Sequence, residues 1–371
     1  MHYYRHGMRV VHLLASTGWG GAERVACTLH RLATTHGHAS RLDGPALPML
    51  VAGVATETGE TLPATALERA RAFWALGART RVRAFAPDVV HVHLATPRYA
   101  ATTWFIAGSL PLVVTFHLLP PNVPWAKDYL MPVHSERVLA RLGQRRRRPT
   151  FVAVSAADRA NLETLFPGAD TAAVVNAPPL SPVRDEQHPV LPFPKGVVRL
   201  LSVGRLDEQK GFDRLVSALA DPRVRSLPWH WVVVGDGGER ARLEASVVAN
   251  GLDGRVTFAG FTPAHHLYEQ SDLVLCPSRF EGMPLVPLEV LLSRKPVLVS
   301  RIPPHQELLG AAPASFLPES DTEWAAALVG PLSDPTARAA LLDAQSAVSR
   351  VDPRERLWQD YLRIYERVLH A

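Results

Sequence analysis

The sequence is poor in cysteine and has no long apolar run. Of its 371 residues only two are cysteines, Cys27 and Cys276, and each lies in an apolar segment. Two cysteines cannot build a disulfide framework, so we expect both as reduced core residues. No stretch approaches the roughly 20 apolar residues of a membrane span, and the N-terminus lacks the apolar region of a signal peptide. We therefore expect a cytoplasmic protein.

Two further kinds of site lack residues that they need. His91 and His93 lie on one face of a strand, at a spacing that suits a metal, but no Cys, Asp or Glu at a recognisable ligand spacing accompanies them. The stretch VVVGDGGERARL imitates a dinucleotide-binding fingerprint, but Arg240 occupies the third glycine position and no convincing acidic partner follows. We therefore expect neither a metal nor NAD.

Charge is spread unevenly along the chain. The net charge is +5, and residues 1–185 carry 20 Lys+Arg against 12 Asp+Glu, whereas the remainder carries 20 against 23. The basic first half indicates an anionic surface or ligand near it, and nothing indicates nucleic acid in particular.

Strand and helix patterns alternate on either side of a proline-rich segment. Near-continuous apolar runs at 8–15, 89–95, 112–117 and 151–155 predict buried parallel strands, and no strand is assigned within 39–65. Between Asn176 and Gly196 there are six prolines, which predict a linker. The alternation then restarts, and an amphipathic helix follows Pro353. We predict an α/β protein with domains 1–180 and 197–352, a linker at 181–196 and a final helix at 353–371.

Charged residues follow two strands of the second half, where ligands of open α/β sheets bind. Arg205 and Lys210 lie on one loop between Gly204 and Gly211, and two cations there suit a diphosphate. Glu281 lies in a loop after a later strand, and Glu289 lies within a helix that we expect to begin near Leu285. Carboxylates accept hydrogen bonds from vicinal hydroxyls, so these glutamates suit a sugar.

Together, seven segments resemble the retaining glycosyltransferases of family 4, which have the GT-B fold. The Arg-x4-Lys pair and the Glu-x7-Glu spacing are the specific parts. The resemblance implies two doubly wound Rossmann-like domains that face each other across a cleft, with the acceptor on the N-terminal one and the final helix crossing back onto it. The segments are GGAE (20–23), VVTFH (113–117), VAVS (152–155), VGRLDEQKGFDRLVSAL (203–219), VVVGDGGER (232–240), VTFAGF (256–261) and EGMPLVPLE (281–289).

The resemblance also implies a role for each matching residue. Arg205 and Lys210 would hold the donor diphosphate, Glu289 the nucleotide ribose and Glu281 the hydroxyls of the donor sugar. His117 would lie near the transferred sugar and the acceptor. The implied catalytic residues are His117, Glu281, Arg205 and Lys210, and the implied donor-binding residues are Gly20, Gly21, Gly204, Arg205, Lys210, Gly260, Phe261, Glu281, Gly282, Met283, Pro284, Leu285, Val286 and Glu289.

The identity of the donor does not carry over from the family. Residues 293–295 and 301–307 depart from its usual small-residue and Gly-Gly patterns, and the second of these loops adjoins the donor sugar in the family. We expect a UDP- or GDP-linked sugar, no cofactor and, because no Asp-x-Asp occurs, no metal.

The acceptor is expected to be a glycan or a lipid-linked molecule at an anionic membrane surface on the inner face of the membrane. Basic and aromatic residues of the first half suit such a surface. A small soluble acceptor stays open as an alternative, as does a non-catalytic glycan-binding module. The residues concerned are Trp104, Phe105, Trp125, Tyr129, Arg137, Arg141 and Arg145–Arg148.

Overall fold

The computed structural model divides the chain into two compact units. The first comprises Met1–Asp185 with Pro353–Ala371, and the second comprises Glu186–Asp352. The division falls inside the segment expected as a linker, and the last helix belongs to the first unit. The structure describes residues 7–16, 19–63, 71–94, 100–119, 149–179, 190–262, 266–346 and 353–370.

The first unit is built on a parallel sheet of six strands in the order β2-β1-β3-β4-β5-β6. The strands are β1 (Arg9–Ala15), β2 (Ala39–Asp43), β3 (Val89–Leu94), β4 (Leu112–Phe116), β5 (Thr150–Ala153) and β6 (Asp170–Ala173). The helices of this unit are Gly21–Thr35, Pro48–Thr58, Arg71–Phe85, Ala100–Ala107, Ala156–Leu165 and Pro353–His370. Parallel strands joined through helices are typical of a doubly wound domain.

The second unit is built on a parallel sheet of five strands in the order β11-β10-β7-β8-β9. The strands are β7 (Val198–Val203), β8 (Trp229–Val234), β9 (Val256–Gly260), β10 (Leu273–Cys276) and β11 (Val297–Val299). The helices are Phe212–Ala220, Pro222–Arg225, Arg240–Ala249, Leu285–Leu292, Pro303–Leu309, Trp324–Ser333 and Pro335–Ser346. The predicted α/β class is therefore confirmed in both units.

Every strand predicted from an apolar run is present, but the segment 39–65 contains two elements that the sequence did not reveal. Strand β2 (ASRLD) pairs only with β1, and just its last two residues are buried. An edge strand with one neighbour needs little apolar surface, so it leaves a weak pattern. The helix Pro48–Thr58 follows it and begins with proline in its first turn.

A buried side-chain bridge ties the central strands of the second sheet together. Trp231 on β8 donates its indole N–H to Ser202 Oγ on β7 at 3.0 Å, and the Ser202 hydroxyl donates to the carbonyl of Leu275 on β10 at 2.8 Å. Trp231 and Ser202 are both fully buried. Satisfied polar groups in a buried core favour one arrangement of neighbours, so this bridge fixes the ends of β7 and β10 relative to each other.

The final helix, Pro353–His370, lies against a polar face of the first sheet. Tyr365 Oη is 2.7 Å from His91 Nδ1, and Tyr361 Oη is 2.9 Å from Thr115 Oγ1. Both tyrosines are fully buried, so their hydroxyls require these partners. Among the helices of the described residues, none combines the length and the apolarity needed to cross a bilayer.

Candidate active site

Three neighbouring loops at the carboxyl edge of the second sheet enclose a small cavity. Strand β10 lies between β7 and β11, so the loops that follow these strands are adjacent. The cavity is lined by Lys210 after β7, by Ser278 and Glu281 after β10, and by His305 after β11. Its free volume is about 10 Å³, which is room for about one water molecule.

An ion pair between two motif residues lies in the wall of this cavity. Lys210 Nζ lies 2.6 Å from Glu281 Oε1, which also accepts a hydrogen bond from Ser278 Oγ at 2.7 Å. Glu281 Oε2 accepts from Gln209 Nε2 at 3.1 Å. Burial alone would raise the pKa of Glu281, but the Lys210 charge and the hydrogen bonds from Lys210 and Ser278 outweigh it, so the pKa is lowered. The carboxylate is therefore charged and held in one orientation.

The loop that carries Lys210 has a conformation that its sequence explains. Asp207 Oδ1 accepts from the backbone N–H of Lys210 at 3.2 Å, and the short turn Glu208–Lys210 ends at Gly211 with φ +66°. A Cβ at Gly211 would lie 2.3 Å from the carbonyl oxygen of Pro277. Glycine is therefore required for this loop to approach the strand that leads to Glu281. At Gly204, a Cβ would crowd the side chain of Lys210, 3.2 Å from its Cε.

The structure separates the two cations that the sequence placed on this loop. The side chain of Arg205 is 61% exposed, and its Nη2 lies 3.2 Å from Asp207 Oδ2. The same Nη2 donates to Gln209 Oε1 at 3.1 Å. Arg205 does not line the cavity. Lys210 is thus the cation inside the cavity, and Arg205 is a solvent-facing one beside it.

The helix after Glu281 begins at the residue that the sequence predicted. It spans Leu285–Leu292, with Pro284 preceding it as the N-cap, and Pro284 and Val286 line the cavity. Backbone amides in a first helical turn have no intrahelical acceptor, so this turn has the character of an anion site. Gly282, Met283 and Leu285 are buried beside the cavity without lining it.

The second motif glutamate, Glu289, does not line the cavity. Its Oε2 accepts from the hydroxyl of Tyr268 at 2.5 Å, and the residue is 8% exposed. Burial raises the pKa of the Cys276 thiol to about 12, and the charges of both Glu281 and Glu289 act on it in the same direction. The two carboxylates therefore flank the end of β10, one lining the cavity and the other bonded to Tyr268.

Gly260 and Phe261 lie at the far side of the same sheet edge. Gly260 ends β9, which β8 separates from β7, and its carbonyl accepts from the N–H of Gly235 at 2.8 Å. The side chain of Phe261 is largely exposed. These residues share the carboxyl edge with the cavity but do not line it.

His305 is a cavity residue that the sequence reasoning missed. It lies in the helix Pro303–Leu309 and is fully buried. Its Nδ1 lies 2.8 Å from the carbonyl oxygen of Ser300, and burial lowers its pKa to about 4. In the sequence, the segment 301–307 differs from the family pattern, and nothing else marks it as part of a site. A polar residue shortly after a strand at this edge was the available signal. Ser278, Gln209 and Tyr268 were missed in the same way.

The remaining predicted residues belong to the first unit. Gly20 precedes the helix Gly21–Thr35 at the carboxyl end of β1, and Gly21 is its exposed first residue. His117 directly follows β4, and its Nε2 lies 3.1 Å from His93 Nδ1. His93 Nε2 lies 3.0 Å from His12 Nδ1. Burial lowers the pKa of His12 and of His117 to about 3 and holds that of His93 well below its usual value. All three rings are therefore neutral.

His12 also joins the pair His91 and His93, and one ligand atom from each of the three lies within 4.8 Å of the others. The sequence alone points only to the pair on β3. His91 Nδ1 and Nε2 contact the hydroxyls of Tyr365 and Thr115, each at 2.7 Å. His91 is thus bonded to hydroxyls, whereas His12, His93 and His117 are bonded to one another.

Both halves of the chain match glycosyltransferase families. The family described as Glycosyltransferase Family 4 matches residues 19–177, and Glycosyl transferases group 1 matches residues 183–344. The alpha-D-kanosaminyltransferase of Streptomyces kanamyceticus is 31% identical over 144 residues, which cover 38% of this chain and 37% of that protein. The lipopolysaccharide core biosynthesis mannosyltransferase LpcC of Rhizobium leguminosarum bv. viciae is 35% identical over 144 residues, 36% of this chain and 40% of the relative. The chain thus matches less than half the length of these relatives.

A solved structure matches the chain over nearly its whole length. Anabaena Alr3699/HepE in complex with UDP and glucose has a TM-score of 0.74 and 18% sequence identity, and the match covers 97% of this chain and 99% of that one. At this identity the likeness concerns the fold, and it confirms the fold class predicted from the sequence.

The hydrogen-bonded row of His12, His93 and His117 predicts that the tautomer of each ring depends on that of the others. Each neutral ring carries one N–H, and each nitrogen-to-nitrogen contact needs one donor and one acceptor. His12, His93 and His117 must therefore all carry the proton on Nδ1 or all on Nε2. Two-bond 15N–1H spectra of histidine-labelled protein should show one shared tautomer. His93→Phe should uncouple the signals of His12 and His117, whereas His230→Phe in the other unit should not. Opposite tautomers on His93 and His117 in the wild-type protein would contradict this arrangement.

Proposed function

Because the chain belongs to the family 4 glycosyltransferases, we propose that it transfers a sugar from a nucleotide-sugar donor to an acceptor hydroxyl and retains the anomeric configuration. One observation carries the proposal. Lys210 and Glu281, which are 71 residues apart, meet at 2.6 Å in a cavity at the carboxyl edge of the second sheet. Lys210, a cation that suits a diphosphate, thus adjoins Glu281, a hydrogen-bond acceptor that suits sugar hydroxyls.

The diphosphate of the donor would take over Lys210 from Glu281. Its charge exceeds that of one carboxylate, so it competes for the ammonium group, and the exposed side chain of Arg205 would exchange its contacts with Asp207 and Gln209 for the diphosphate. The first-turn amides after Pro284 would add hydrogen bonds. Fixed positive charge of this kind stabilises the leaving diphosphate, so we propose that transfer needs no metal ion.

The sugar would bind where Glu281 is released. A carboxylate that no longer pairs with Lys210 accepts hydrogen bonds from sugar hydroxyls, and Glu289, oriented by Tyr268, would bind the ribose in the same manner. Gly260 and the exposed Phe261 would lie against the base, and Gly20 and Gly21 would permit close approach to the phosphates.

The bond changes of the proposed reaction balance without a further reactant. The bond between the anomeric carbon and the diphosphate oxygen breaks, and a bond to the acceptor oxygen forms on the same face. The acceptor proton passes to the departing phosphate, which gains negative charge as it leaves. His117 would lie near the transferred sugar, and its neutral ring suits a hydrogen bond to a hydroxyl.

The acceptor that we propose is a glycan or a lipid-linked molecule. The name of LpcC, which acts in lipopolysaccharide core biosynthesis, supports this class. A small soluble acceptor stays the alternative. The basic first half of the chain agrees with an anionic surface.

Transfer should persist without divalent metal. We expect turnover with a UDP- or GDP-linked sugar in the presence of EDTA, because Lys210, Arg205 and the helix amides supply the charge.

The product formed from an α-linked donor should be α-linked, as determined by NMR. A thermal-shift screen with UDP, GDP, ADP and dTDP sugars selects the donor, since a ligand that binds the folded state raises the melting temperature.

Two results would contradict this proposal. Activity that EDTA abolishes and Mg²⁺ or Mn²⁺ restores would show that the charge at the diphosphate is insufficient. A β-linked product from an α-linked donor would exclude retention. Binding of free glycans without any nucleotide-sugar would instead favour the non-catalytic module.

Reversible membrane binding is expected if the acceptor is lipid-linked. Arg145–Arg148 lie outside the described residues, as do Trp125, Tyr129, Arg137 and Arg141, so this expectation rests on sequence. Each basic residue near an anionic surface contributes about 1 kcal/mol. Sedimentation with vesicles should require anionic lipid, weaken with salt and decrease when Arg145–Arg148 become glutamine.

A matched control removes the same charge elsewhere. The side chains of four arginines are 57–78% exposed in the described part of the chain, and their replacement by glutamine should leave sedimentation largely unchanged. Equal recovery of the wild-type protein in the supernatant with and without anionic vesicles would favour a soluble acceptor. These four are Arg223, Arg242, Arg356 and Arg363.

A further inference from the structure

The tautomer of His305 follows from its surroundings. Nδ1 lies 2.8 Å from the carbonyl oxygen of Ser300 and 3.4 Å from Ser300 Oγ. A carbonyl oxygen only accepts, and the Ser300 hydroxyl already donates to the carbonyl of Ser278 at 2.5 Å. Nδ1 must therefore carry the proton. Because burial lowers the pKa of this imidazole to about 4, the ring is neutral and Nε2 holds a lone pair.

This lone pair has no partner among the described residues. Nε2 is buried and makes no hydrogen bond, although His305 lines the cavity with Lys210, Ser278 and Glu281. The Ser278 hydroxyl donates its proton to Glu281 Oε1, and Lys210 Nζ, which donates to the same oxygen, makes no hydrogen bond to Nε2. A buried acceptor without a donor is unfavourable, and such groups in native proteins usually have a reason.

The group that binds Nε2 has to be a hydrogen-bond donor. Phosphate oxygens at neutral pH accept hydrogen bonds and carry none to donate, and a neutral ring offers a phosphate no charge. Hydroxyl groups can donate. Glu281 supplies a second acceptor on the same cavity wall. Two acceptors beside one cation suit a molecule with adjacent hydroxyls on one side and negative charge on the other.

We propose that His305 Nε2 accepts a hydrogen bond from a hydroxyl of the donor sugar and thereby selects sugars that carry this hydroxyl. The inference rests on the proposed function and names the part of the donor that this residue contacts. The cavity has a free volume of about 10 Å³ while Lys210 pairs with Glu281, so the hydroxyl gains access when the diphosphate draws Lys210 away. A site built around an acceptor rejects analogues that lack the matching hydroxyl, because the acceptor then stays unpaired.

The test compares sugar nucleotides with their parent nucleoside diphosphates by calorimetry. UDP-glucose, UDP-galactose and GDP-mannose are titrated alongside UDP and GDP, and the tightest sugar nucleotide is then used in its monodeoxy and deoxyfluoro forms. His305→Leu should weaken this sugar nucleotide about threefold to tenfold, the factor for one neutral hydrogen bond. It should leave the affinity for UDP or GDP unchanged. His305→Gln places an amide oxygen near the position of Nε2 and should restore most of the loss.

The deoxy series identifies the hydroxyl. One analogue should bind the wild-type protein more weakly by the same factor, yet bind His305→Leu as tightly as the parent sugar nucleotide does. Its deoxyfluoro form should be equally weak, since fluorine cannot donate. His230→Leu, at a buried histidine outside the cavity, is the matched control and should change none of these affinities.

Failure of this inference and failure of the proposed function give different results. An equal loss of affinity for the diphosphate and for the sugar nucleotide in His305→Leu would overturn the inference, because the residue would then act on the phosphates or on the fold. No change in either would overturn it too, and would assign Nε2 to a bound water. A wild-type protein that binds nucleoside diphosphates but gains nothing from the sugar also contradicts it. A wild-type protein that binds no nucleotide at all contradicts the proposed function itself.

Discussion

The contact between Lys210 and Glu281 is the interaction on which the candidate active site depends. It joins the loop after β7 to the loop after β10, and it keeps a buried carboxylate charged although burial opposes this. A buried charge is tolerated only with partners, so a ligand that takes Lys210 leaves Glu281 with Ser278 and Gln209 alone unless it brings a further donor. A sugar diphosphate meets both conditions at once, since its phosphates bind the cation and its hydroxyls bind the carboxylate. We infer that the unliganded site is closed by its own charges and opens to the donor.

The surrounding structure brings these two side chains together. Trp231 and Ser202 connect the middle strands of the sheet, and Gly211 allows its loop to pass against Pro277. Substitution of Gly211 by any larger residue would push a Cβ towards the Pro277 carbonyl, 2.3 Å away, and displace Lys210. Precision at the site therefore originates in contacts that carry no chemistry themselves, which is how a rigid sheet supports binding loops.

Much of the fold could be predicted from the sequence, because buried parallel strands leave near-continuous apolar runs, as in LVVTF and WHWVVV. Strand β2 was missed because an edge strand needs less apolar surface. Lys210 and Glu281 were predicted as site residues because each follows such a run at a fixed spacing within its motif. His305 and the row formed by His12, His93 and His117 could not be found from spacing, since their partners come from distant segments that only the folded sheets place side by side. Burial of a polar residue is a tertiary property, and single-sequence patterns do not encode it.

The most direct test of this account measures the exchange of partners at Lys210. UDP or GDP, whichever binds the wild-type protein, is titrated into Lys210→Ala, Arg205→Ala and Glu281→Gln, with melting temperatures as the check on folding. Loss of a charge-assisted contact is worth about 1.5–3 kcal/mol, so Lys210→Ala should bind at least tenfold more weakly, and Arg205→Ala should also weaken binding. Glu281→Gln frees the ammonium group and should bind the diphosphate at least as tightly as the wild-type protein, while all three variants lose nearly all sugar transfer. Near-normal transfer in Lys210→Ala, or an equal loss of diphosphate affinity in Lys210→Ala and Glu281→Gln, would contradict the account.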